Sequence, residues 1–164
     1  MRVLGIDPGL ERIGYGVLEA NGRALAVLEA GVVRSRPSDP MAVRLMEIAR
    51  EIGDIIGQFT PDAIAIEELY SHYKHPKTAI IMGHARGILI LKAAEAGVPV
   101  VSYAATRIKK SLTGNGRASK LQMQKMIGSA LSLVETPESP DAADALAVAL
   151  CHCRSQAHHL GVAS

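Results

Sequence analysis

Aromatic residues are nearly missing from this chain: it has no Trp, one Phe and four Tyr among 164 residues. Its core must therefore be aliphatic, and any exposed aromatic becomes a candidate contact in its own right. Cysteine is as scarce. Cys151 and Cys153 cannot make a disulfide framework, and Met1 leads into a strand-like run instead of a charged and then apolar leader. A reducing cytoplasm is the expected setting. Long apolar runs are also absent. The longest, Thr78 to Ala94, is broken by His84, Arg86 and Lys92, short of the about 20 uninterrupted residues of a membrane span. No membrane role is expected. What the chain does hold, 48% apolar against 21% charged residues, excludes intrinsic disorder and suits one domain of ordinary size.

The net charge is only +2, but it is unevenly spread. Between Leu69 and Val134 ten basic residues (Lys74, Lys77, Arg86, Lys92, Arg107, Lys109, Lys110, Arg117, Lys120 and Lys125) face one acid, Glu95, a formal +9. A solvated basic face is one explanation. Binding of a polyanion, most commonly nucleic acid, is the other.

The pattern of apolar residues predicts an α/β domain. Arg2 to Asp7, Ile13 to Glu19 and Ala24 to Arg34 read as a meander joined by the Asp7-Pro8-Gly9 and Asn21-Gly22 turns. Asp39 is placed to cap a helix with Pro40 at its first position, running to about Gln58 on Met41, Leu45, Ile48, Ile52, Ile55 and Ile56. Asp62 to Glu67 reads as a buried strand and Pro76 to Ala96 as a helix ended by Gly97. Val98 to Tyr103 is the fifth strand, and a helix over Ala104 to Leu112 follows. Ser119 and Gln122 form a capping-box pattern for a helix to about Leu131, and a last helix starts near Pro140. The whole reads as a mixed five-stranded sheet with helices on both faces over residues 1–156, and 157–164 as a loosely ordered tail.

Four acids stand at element ends. Asp7 ends an apolar strand and Glu67 another, and strand ends on one edge of a sheet are where ligands bind. Asp141 and Asp144, three apart in a helix, project from one face. Ordinary explanations exist for each: a turn initiator at Asp7, strand-end charges at Glu67 and Glu68, helix-dipole partners at Asp141 and Asp144. Together, four carboxylates in one cleft would repel one another unless a divalent cation joined them. Oxygen-only ligands suit Mg²⁺ or Mn²⁺, and paired ions of this kind cleave phosphodiesters.

The segments LGIDPGLERIGYGV, IAIEELY, GHARG, ATRIKKSLTGNGRASK and DAADALAVALCHC, in this order over about residues 1 to 153, closely resemble the RuvC family of crossover junction endodeoxyribonucleases. The resemblance implies a ribonuclease H-like fold, a homodimer, and Holliday junction resolution by paired symmetric nicks that leave 5′-phosphates. It places the catalytic, metal-binding tetrad on Asp7, Glu67, Asp141 and Asp144, with two Mg²⁺ per site, bridged by Asp7, and Mn²⁺ as substitute. Lys109 and Lys120 fall where the family holds the cleaved phosphate. Tyr70, three residues after Glu67, takes the position of a base-stacking aromatic that is often Phe; Tyr keeps the π face that stacking needs. Arg117, beside the Gly114-Asn115-Gly116 loop, joins the DNA-binding candidates. The dimer contact falls on the helix from about Pro76 to Ala96, whose apolar residues surround its axis. The family's branch-migration proteins RuvA and RuvB are potential partners.

Other signals carry less. Cys151, His152 and Cys153 with His158 and His159 suggest zinc, but Cys-x-Cys on a helix sets the thiols about 160° apart. Gly114-Asn115-Gly116 lacks the Gly-Lys-Ser/Thr ending of a phosphate loop. A sugar kinase or actin-like ATPase can begin with the same glycine turn, yet needs a second domain to close over ATP. A junction-binding module without cleavage would have no use for four acids.

Overall fold

Three antiparallel strands open the chain and carry the rest of the sheet on one edge. The computed structural model describes residues 1–22, 24–69, 76–133 and 139–159. Its elements are β1 (Arg2–Asp7), β2 (Arg12–Asn21), β3 (Ala24–Arg34), α1 (Met41–Phe59), β4 (Ala63–Glu67), α2 (Pro76–Glu95), β5 (Val100–Tyr103), α3 (Ala105–Thr113), α4 (Lys120–Ala130) and α5 (Pro140–His159). The sheet order is β3-β2-β1-β4-β5. β1 and β2, and β2 and β3, are antiparallel; β4 and β5 join in parallel. This is the expected mixed five-stranded sheet.

Strand periodicity divides the core in two. Val3 and Ala65 face a cluster with α3, α4 and α5, while Leu4, Ile6, Ile64 and Ile66 face one with α1 and α2. β1 and β4 are thus apolar on both sides, which is why they read as unbroken hydrophobic runs. α1 presents Ile48, Ile52, Ile55 and Ile56 to the sheet, and each buried isoleucine contributes about 1.5–3 kcal/mol. α2 uses Ala85, Leu89 and Ala93 in the same way, but leaves Ile80, Ile81, Ile90 and Leu91 exposed.

The third helical contact is different in kind. α5 lies on Gly5, Gly14 and Gly16, which stand on the same face of β1 and β2. A Cβ built at Gly5 would collide with the carbonyl oxygen of Ala145, and one at Gly14 with that of Asp141; at Gly16 it would come 2.6 Å from Leu146 Cδ2. The helix backbone therefore rests directly on the strands. Ala142, Ala143, Ala145 and Ala149, all buried, keep its underside equally thin.

Several boundaries differ from the sequence reading. Asp39 does not cap α1: its N–H donates to Arg36 O in a turn, and Pro40 (ψ 146°) is the N-cap, without a side-chain cap bond. β5 starts at Val100 because Pro99 has no N–H for the ladder. α5 continues to His159, three residues into the segment expected to be a tail. The capping box at Ser119 and Gln122 forms as expected, with both reciprocal bonds. No helix among the described residues is long and apolar enough to cross a membrane.

Candidate active site

Alternation along β1 and β4 decides where Asp7 and Glu67 point. Ile6 is in register with Ile66, so the next residues of these parallel strands end side by side. Both continue the odd-numbered series that faces α5 (Val3, Gly5, Asp7; Ala63, Ala65, Glu67). The bare glycines then bring the first turn of α5 down beside them. Asp141 enters from that turn, where the positive end of the helix dipole favours an acid, and Asp144 from the start of the next.

The electrostatics record how close the four acids stand. Burial first, then the charges of Glu67, Asp144 and Asp141, push the Asp7 carboxyl up to about 7, against a smaller opposing effect of Lys120. Burial and then Asp144 raise Glu67, with Lys109 opposing. Asp144 is also raised, mainly by burial, with Lys120 the chief opposing charge. Such a cluster is poised to accept a cation.

The basic residues arrive from α3 and α4. A recess of about 230 Å³ is lined by Glu67, Lys109, Lys120 and Asp144, and Lys120 Nζ lies 3.6 Å from Asp144 Oδ2. Next to it, a groove of about 680 Å³ runs over Asp7, Pro8, Glu67, Leu69 and Met82 to Ala104–Thr106. Of the expected residues, Asp7, Glu67, Asp141, Asp144, Lys109 and Lys120 thus come together. Arg117 does not join them: it is exposed beyond α3, its N–H bonded to Asn115 Oδ1 at 2.9 Å. Tyr70 lies outside the described residues, as do the side chains of His158 and His159.

Two arginines belong to the site that sequence reasoning did not assign. Arg12, at the start of β2, gives Nε to Asp141 Oδ2 at 2.7 Å and Nη2 to Ser139 Oγ at 3.3 Å. Arg86 of α2 donates to the Glu67 carbonyl at 2.9 Å and to Ser102 Oγ at 2.6 Å, tying together the ends of β4 and β5. A charge set among the apolar residues from Ile80 to Leu91 of α2 was the available signal for Arg86. The helical thiols are buried and free, and His152 between them meets Tyr103 Oη at 2.9 Å, which accounts for the Cys-His-Cys run as core.

The donor set consists of hard carboxylate oxygens, which suit a divalent cation of the Mg²⁺ type better than a thiolate- or imidazole-loving metal. No three candidate ligands among the described residues already converge as a metal centre. The crowding at Asp7 is nevertheless what a bound cation relieves, so the residues fit such an ion.

The chain as a whole is similar to known proteins. The family model described as "Crossover junction endodeoxyribonuclease RuvC" matches residues 3–152. The protein of that name from Rhodopirellula baltica is 50% identical over 149 residues, 91% of this chain and 84% of the relative. The one from Caldicellulosiruptor saccharolyticus is 45% identical over 156 residues, 94% and 93% of the two chains. Among solved structures, T. thermophilus RuvC in complex with a Holliday junction substrate superposes with a TM-score of 0.91 at 34% identity, over 97% of this chain and 96% of that one. The fold is accordingly ribonuclease H-like, and family membership implies dependence on a divalent metal in general. On the strength of both sequence and structure, the chain belongs to the RuvC family of crossover junction endodeoxyribonucleases.

Proposed function

We propose that this chain resolves Holliday junctions as a homodimer, each active site making one of two symmetric nicks. The observation that carries the reading is the joint placement of Asp7, Glu67, Asp141 and Asp144 against Lys109 and Lys120. Asp7, Glu67, Asp141 and Asp144 would hold two Mg²⁺ ions, or Mn²⁺ in their place. When bound, these ions supply activation of water and stabilisation of the leaving oxygen. Water oxygen attacks phosphorus and the bond to the 3′ oxygen breaks, leaving a 5′-phosphate and a 3′-hydroxyl.

The chain's own residues orient this chemistry. Lys109 and Lys120 hold the non-bridging oxygens of the scissile phosphate and offset the charge that builds on it. Arg12 keeps Asp141 turned toward the site, and Arg86 holds the strand end that carries Glu67. Tyr70 is proposed to stack on a base at the crossover, and Arg117 to contact the DNA backbone farther out. The exposed Ile80, Ile81, Ile90 and Leu91 supply the dimer face, with Gly83 and Gly87 giving open backbone for close approach. RuvA and RuvB are proposed partners on the same DNA, in the cytoplasm.

The test compares a labelled four-way junction with linear duplex of the same arms, in Mg²⁺ or EDTA, for wild type and Asp7→Asn. Symmetric, metal-dependent nicks at the junction by wild type alone support the reading. Binding by both proteins without cutting in Mg²⁺ would make the chain a junction-binding module instead.

A further inference from the structure

Arg44 is a charged side chain only 8% exposed, in the first turn of α1. Its Nε donates to Ser35 Oγ at 3.1 Å, and Ser35 Oγ donates in turn to Leu10 O at 2.6 Å. Its Nη2 is buried and makes no hydrogen bond. Among the described residues no carboxylate pairs with it. The first turn of α1 contains no acid and has no side-chain cap. A buried guanidinium without counter-charge costs folding stability that a methionine of similar length would not. Packing alone therefore gives no reason for arginine here.

Its location supplies one. Arg44 lines a cavity of about 420 Å³ between the turn from Gly9 to Arg12 and the first half of α2 at Thr78, Ile81 and Met82. Gly9 to Arg12 follow directly on Asp7 and Pro8, Arg12 holds Asp141, and Met82 also lines the catalytic groove. The cavity is the groove's neighbour, with a shared wall. Arg12 is already paired with Asp141, so Arg44 is the cation of this lining that no acid neutralises among the described residues. A strand lying in the groove toward Met82 would carry a phosphate next to the scissile one to this cavity.

We propose that the Arg44 cavity seats a backbone phosphate of the strand being cut, adjoining the scissile one. The inference rests on the junction-nuclease reading above. Arg44 is then a DNA-binding residue that fixes the strand's register across the carboxylates without touching the reacting atoms. The stability lost by burying its charge is offset when the phosphate enters and accepts a charge-assisted hydrogen bond from the guanidinium.

The experiment uses the full chain in an Asp7→Asn background, so that Mg²⁺ can be present without cleavage. Arg44→Met, Arg44→Lys and their parent are titrated with a labelled four-way junction over a range of NaCl, and melted without DNA. Arg44→Met should bind about tenfold more weakly. Its plot of log affinity against log salt should be shallower by about 0.9, the share of one phosphate. Its melting temperature without DNA should equal or exceed that of the parent, and Arg44→Lys should retain the parent's salt slope. Unchanged affinity and slope in Arg44→Met would overturn the proposal. So would a lower melting temperature or failure to fold, which would mark the guanidinium as a structural group. Nicking of the same junction by wild type in Mg²⁺, measured alongside, reports separately on the nuclease reading.

Discussion

Asp7→Asn should stabilise the metal-free protein, and by an amount that depends on pH. In the folded chain the Asp7 carboxyl titrates at about 7 against an ordinary 3.8, because it is buried and faces Glu67, Asp144 and Asp141. At about 1.4 kcal/mol for each tenfold change, ionising it in place costs up to about 4 kcal/mol, and about 2–4 kcal/mol after side chains relax. The folded-state value lies above the unfolded one, so protonated Asp7 is the stable form. The deficit is absent below about pH 4, grows as pH rises, and is complete above about pH 7. The amide at position 7 carries no such charge. Thermal unfolding in EDTA should therefore show wild type and variant converging at acidic pH, while near pH 8 the variant melts about 5–15 °C higher. Mg²⁺ should narrow that gap by stabilising wild type more than the variant. Melting temperatures that stay parallel from pH 5 to 8.5 would refute the idea that these carboxylates crowd one another.

Three further substitutions probe how the site is held. Gly14→Ala pushes a methyl group into the Asp141 carbonyl; it should cost about 1–3 kcal/mol in urea unfolding and abolish nicking even in protein that remains folded. Ser119→Ala deletes the capping-box acceptor of α4 and should lower stability by about 1 kcal/mol, with a loss of nicking because Lys120 follows directly. Arg86→Met removes the bonds to the Glu67 carbonyl and Ser102, worth about 1.5–3 kcal/mol as charged hydrogen bonds. Its chemical denaturation midpoint should fall accordingly, and its nicking rate should fall further than that of an equally destabilised core variant.

The parts of the molecule legible in the sequence are those set by local rules. Apolar runs flanked by turns marked β1 and β4, a four-residue apolar spacing marked α1, and Ser119 with Gln122 marked α4. Asp7 and Glu67 stood out because a carboxylate closing a fully apolar strand conflicts with its surroundings. The less visible parts depend on distant residues. Nothing near Arg12 announces Asp141, 129 positions away, and nothing near Arg44 announces a shortage of acceptors. The glycine floor lay between these extremes: Gly14 and Gly16 alternate on β2, and Gly5 lies opposite Gly16 on β1. That pattern signals close backbone approach, but only the three-dimensional arrangement names α5 as what approaches. Asp39 misled because the helix begins one residue later than its pattern implied, with Pro40 in the N-cap position and no side-chain cap bond.

The two faces of the sheet should differ in how freely they can change. Against α1 the contact is a mosaic of isoleucines, and a lost methyl on one side can be matched by a gained one on the other. Against α5, at Gly5 and Gly14, the contact is main chain on main chain, and no substitution can make a carbonyl oxygen smaller. Compensation is thus open to one face and closed to the other. Variants selected for altered stability or cold activity should accumulate on the isoleucine side, while the alanine and glycine side keeps its shape.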